Sequence, residues 1–134
     1  MKRLSLVAGF CLIALPVLAQ NFRAQLTPDQ EVPPKTGSGK GTATATLNGN
    51  TLNYRVEYSG LSGPPSAGHF HGPADKGANA GVVVPWNNPG TSPVTGTANL
   101  TDQQKADLLA GKWYANLHTA ANPGGEIRGQ VTGN

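Results

Sequence analysis

Cysteine is nearly missing from this chain. Its 134 residues include one, Cys11, and one methionine, Met1. Histidine is also scarce, at three residues, and charged residues make up only 13%. Apart from the first twenty residues there is no long hydrophobic run. Each shortage excludes something. A single cysteine allows no intramolecular disulfide, and thiolate metal sites and cysteine nucleophiles would rest on that one residue. The basic side chains are scattered rather than clustered, so nothing points to nucleic acid or to an anionic membrane as a partner.

The apolar run that does exist lies at the start. Lys2 and Arg3 precede an apolar stretch over 4–18, broken by Gly9 and Pro16, and Val17-Leu18-Ala19 offers a cleavage site after Ala19. This predicts a secretory signal peptide over residues 1–19, too short and wrongly flanked for a spanning helix. Phe10 before Cys11 argues against lipidation, and Cys11 would leave with the leader. The expected product is a secreted or periplasmic protein with no stable membrane anchor. It would be a single domain over 20–134, long enough for one core. Without Lys2 and Arg3, eight basic side chains face seven acidic ones, so the whole-chain pI overstates how basic the mature protein is.

Gly, Pro, Thr, Ala and Asn dominate the rest, a composition of short strands joined by turns. Segment 42–47 alternates polar with apolar residues, and Asn48-Gly49-Asn50 signals a turn. Segment 51–58 then alternates strictly, with Leu52, Tyr54, Val56 and Tyr58 on one face. The pattern predicts a β-hairpin. Further strands are expected over 22–26, 82–84, 95–100 and 112–118. One short helix should start at Thr101, capped through Gln104, and stop at Gly111. The predicted fold is all-β: an antiparallel β-sandwich with one short helix.

The chemistry sits in His69-Phe70-His71. Strand residues i and i+2 point to the same side, so two imidazoles would leave one face while Phe70 turns to the other. The third histidine, His118, shares a face with Tyr114 and Asn116, opposite Trp113, Ala115 and Leu117, which are assigned to the core. Imidazole is the commonest side-chain metal ligand, and nitrogen donors suit copper or zinc, with copper(II) bound more tightly. His69, His71 and His118 are therefore the candidate metal ligands. Glu126 is a candidate fourth ligand, and Asn116 and Tyr114 could support the ligands from behind. Arg128, on the same face as Glu126, would oppose a bound cation unless it pairs with that carboxylate. The sequence has no nucleophile elbow, no phosphate-loop spacing and no paired carboxylates placed for acid–base work. Gly37-Ser38-Gly39-Lys40-Gly41-Thr42 reads as a flexible loop.

Three motifs together resemble a known family. Ala67-Gly68-His69-Phe70-His71-Gly72-Pro73-Ala74, then Trp113-Tyr114-Ala115-Asn116-Leu117-His118-Thr119, then Asn122-Pro123-Gly124-Gly125-Glu126-Ile127-Arg128-Gly129-Gln130 are similar to the CHRD domain. That domain is named after chordin and also occurs in bacterial exported proteins. The resemblance covers about residues 22–131, including Ala24-Gln25-Leu26 and Gln30-Glu31-Val32-Pro33-Pro34 at its start. It implies an immunoglobulin-like β domain and no defined activity. The His-x-His strand with a later strand histidine is also similar to the copper-ligand layout of copper/zinc superoxide dismutases. A fourth histidine, a zinc loop and a cysteine pair are missing here, which argues against a full dismutase site.

Three functions follow as expectations. The first is binding, buffering or delivery of a metal ion, copper with zinc as the alternative, rather than turnover. The second is a metal-free module contacting another envelope or extracellular protein. The third is a copper-dependent redox enzyme.

Overall fold

A computed structural model describes residues 5–9 and 18–134. The expected leader falls mostly on residues outside these. Among the described residues no helix is long and apolar enough to cross a membrane.

The alternating segments form two antiparallel sheets. β1 (Gln20–Leu26), β2 (Lys40–Asn48), β3 (Thr51–Ser59), β6 (Val94–Asn99) and β9 (Thr132–Gly133) build one, in the order β6-β3-β2-β1-β9. β4 (Pro65–His71), β5 (Val82–Pro85), β7 (Tyr114–Thr119) and β8 (Ile127–Gln130) build the other, in the order β5-β4-β7-β8. The architecture is the β-sandwich that the sequence predicts.

The β2–β3 hairpin pairs Asn48 with Thr51, so Gly49 and Asn50 are its two loop residues. Gly49 takes the first loop position with φ +60°, a conformation that costs a glycine little. The alternation works as read: Leu52, Tyr54 and Val56 are buried, while Asn53, Arg55 and Glu57 face solvent. A 3₁₀ turn at Pro28–Gln30 follows β1, and the helix α1 spans Asp102–Leu109. Thr101 and Gln104 cap α1 reciprocally, side chain to backbone in both directions. Leu108 enters the core, and Leu109 beside it is exposed.

The core between the sheets is aromatic at its centre. Phe70 lies 5.5 Å from Tyr54, 5.1 Å from Trp86 and 5.6 Å from Trp113, centroid to centroid. Edge and tilted contacts of this kind add to the area that each ring buries. The room for Trp86 exists because residue 68 is glycine: a Cβ there would collide with the indole. Trp113, just before β7, and Ala115 and Leu117 within it are all fully buried in this core, as expected.

Phe70→Ala should cost about 3–5 kcal/mol, the usual range for emptying a buried aromatic site. Thr44→Ala on the exposed face should stay within about 0.5 kcal/mol. Urea unfolding of the two variants checks the contrast.

Candidate metal centre

The pleat of β4 carries Phe70 inward and His69 and His71 outward. β7 runs antiparallel beside it, pairing Ala67 with His118, His69 with Asn116 and His71 with Tyr114. The third histidine is thus diagonal to His69 on the same face. The rings of His69 and His118 lie 5.0 Å apart, and those of His69 and His71 5.2 Å. One ligand atom from each of the three falls within 4.8 Å of the others, and among the described residues this is the one such group of His, Cys, Asp or Glu.

Two of the rings are fixed by backbone carbonyls. His71 Nδ1 lies 3.0 Å from the carbonyl of Ala80, and His118 Nδ1 3.0 Å from that of Pro123. A carbonyl only accepts, so both Nδ1 atoms carry a proton, and in its neutral form each ring presents a bare Nε2. His118 Nε2 lies 3.3 Å from His69 Nδ1, which donates to it. His71 Nε2 is buried and has no hydrogen-bond partner. An orphaned acceptor costs stability unless something uses it. A bare, oriented nitrogen beside two more imidazoles is the donor set that a borderline transition metal takes. A bound cation would displace the His69 proton from Nδ1 or bond the other ring nitrogen.

The electrostatics favour neutral rings at His69 and His71. Burial, foremost, holds His71 down to about 4, with the neighbouring histidines and Arg128 pushing the same way and the Ala80 carbonyl opposing. Burial and then His118 also lower His69. Neutral imidazole is the form that binds metal.

The outer face of this sheet is not a solvated one. Tyr114, Asn116, Glu126 and Arg128, all on the side opposite the core, are buried beneath the loops that cross it. Glu126, the candidate fourth ligand, has its oxygens engaged elsewhere. The Glu126 carboxylate accepts hydrogen bonds from Ser62 N–H (2.9 Å), the Ser62 hydroxyl, Thr119 Oγ (2.7 Å) and Asn122 Nδ2 (3.1 Å). Burial works to raise its pKa, but these donors together hold it below the ordinary carboxylate range. With its oxygens so engaged, it belongs to the turn after β7 and not to the histidine cluster. Asn116 likewise turns from the histidines: its amide donates to both Glu31 oxygens (3.1 and 3.0 Å) and to the Ile127 carbonyl (2.8 Å). Glu31, in the segment just after the 3₁₀ turn, is buried, and that burial raises its pKa.

Sequence reasoning named Tyr114 as a supporting group and Arg128 as a nearby charge, but it missed how the two are placed and missed the loop over 72–81 altogether. Tyr114 stacks on His71 with centroids 4.7 Å apart and planes 2° from parallel. Arg128 covers the Tyr114 ring at 3.5 Å. The loop over 72–81 supplies the Ala80 carbonyl. The face that Tyr114 shares with His118 was the signal in the sequence; its place directly opposite His71 required knowing the pairing.

A two-sheet antiparallel sandwich with a three-histidine cluster on the outer face of its smaller sheet is the class that fold and site define. The CHRD-domain family model matches residues 22–131, and the chain belongs to that family. No curated protein and no solved structure shows significant similarity to it.

Stability should fall as pH drops from 7 toward 4. An unfolded histidine takes its proton near 6.5, whereas folded His71 stays neutral down to about 4. Within that window the unfolded chain binds more protons, so acid favours unfolding, by up to about 3 kcal/mol. Urea melts at successive pH values should show the decline, and His71→Gln should flatten it.

Proposed function

We propose that this CHRD-domain protein is exported after loss of residues 1–19, and that its domain, residues 20–134, binds copper through His69, His71 and His118. Its role is binding, buffering or delivery of the ion in the periplasm or outside the cell. The observation that carries the reading is the three-histidine cluster, with one ring nitrogen from each within 4.8 Å of the others, together with a buried His71 Nε2 that has no hydrogen-bond partner. Copper is preferred to zinc because three neutral nitrogens, with no thiolate in reach, follow the order in which copper(II) binds most tightly. Delivery rather than permanent storage fits the half-exposed positions of His69 and His118, which leave one side of the cluster open to exchange.

A metal-free interaction module is the second reading. The broad exposed face of the five-stranded sheet favours it, where Arg55 and Glu57 pair at 2.7 Å among threonines of β2. It would leave the histidines as ordinary polar residues of a partly covered face.

Copper(II) added to the mature protein at about a hundred times its dissociation constant should stabilise it by about 2.7 kcal/mol. For a domain of this size that is a rise in melting temperature of roughly 10 °C. The complex should show nitrogen hyperfine structure in its paramagnetic resonance spectrum. The triple variant His69→Ala/His71→Ala/His118→Ala should lose both effects. Copper stoichiometry and affinity unchanged in that variant would reject the metal site and leave the interaction module.

A further inference from the structure

Both carbonyls that orient a histidine come from loops, and a loop carbonyl is only as well placed as the loop. Each of these two loops is tied down by a side chain from the same short segment, residues 126–128. The Arg128 guanidinium donates to Asn79 Oδ1 (2.8 Å) and to the Ala78 carbonyl, in the loop that carries Ala80. It also lies on Tyr114, whose hydroxyl donates to the Ala80 carbonyl at 3.0 Å, and Tyr114 in turn stacks on His71. On the other side, Glu126 accepts from Thr119 Oγ and Asn122 Nδ2, the start and middle of the turn that carries Pro123. The backbone N–H of Glu126 adds a bond to the Leu117 carbonyl at 2.8 Å. Neither charged group reaches the histidines directly, and both are buried.

We propose that Glu126 and Arg128 are paired positioning residues, Arg128 fixing His71 through the Ala80 loop and Glu126 fixing His118 through the Pro123 turn. The alternation of a strand makes the pairing possible. With Ile127 buried in the core between them, residues 126 and 128 must both lie on the face that the loops cross. Each acts on one ring. Arg128 thus has a constructive part in a site that its charge alone would oppose. The effect on metal affinity rests on the copper reading above, but the effect on the rings does not require a metal.

The test uses two readouts on the mature protein. Long-range nitrogen–proton NMR at pH 7, without metal, reports which ring nitrogen of each histidine is protonated. Copper(II) titration reports affinity. In the wild type His71 and His118 should both show a protonated Nδ1. Arg128→Lys and the milder Asn79→Ala, at an exposed loop position, should give a mixture of tautomers at His71 and leave His118 as it was. Glu126→Gln and Asn122→Ala should do the reverse. Each should weaken copper binding by up to about 10- to 100-fold, the usual effect of disturbing the outer partners that orient a ligand. Wild-type tautomers in all four variants, or equal disturbance of both rings by either pair, would overturn the proposal. The expected tautomers in a protein that binds no copper at its histidines would uphold it while rejecting the metal site.

Discussion

Phe70 is the residue on which the arrangement of this molecule turns. Its ring is held between Tyr54, Trp86 and Trp113, at the centre of the only aromatic cluster described between the sheets. A pleated strand allows one choice of face per residue. Once burial draws Phe70 inward, His69 and His71 have to point out. A slip of one residue in β4 would bury two imidazoles and expose a phenyl ring. The same logic acts in β7 and the residue before it, where Trp113, Ala115 and Leu117 take the core and His118 is left on the outer face. The hydrophobic contacts of one face thereby dictate the chemistry of the other.

Outward does not mean solvated here. The loop over 72–81 and the 3₁₀ turn after β1 bring polar groups down onto the smaller sheet, and a second polar layer forms beneath them. In that layer Arg128 is not a free cation. Its charge meets the face of Tyr114 and two oxygens of the loop, and the Glu31 carboxylate lies near enough to favour its charged form. Burial at once removes water from His71 and keeps it neutral, so the same covering that fixes the ring also keeps its lone pair free. Structural order and ligand chemistry have one cause.

Much of this was legible along the chain. The hairpin could be read because its two strands alternate strictly and adjoin a glycine turn. The helix start could be read because Thr101 and Gln104 sit at capping-box spacing. The histidine pair could be read because the period of a strand is two. The environment of Glu126 could not. Its partner Ser62 is 64 positions away, and nothing local distinguishes a carboxylate that will take several hydrogen bonds from one that could face a metal. Only half of the part Arg128 plays could be read, for the same reason: its charge, which does disfavour a proton on His71, is visible in a sequence, whereas the groups that compensate it are brought in by distant loops.

The sequence by itself determined which side chains share a face, because backbone pleating and helix capping act over a few residues. It thus settled the sandwich strands and the sidedness of all three histidines. Only the tertiary structure decided that β4 and β7 are neighbours, that the offset in their register sets His118 diagonal to His69, and that two loop carbonyls engage Nδ1 of two rings and leave their Nε2 atoms bare. Those outcomes depend on contacts between segments some fifty residues apart, such as His69 and His118 at a separation of 49. Such contacts are selected by packing of the whole core and have no local signature.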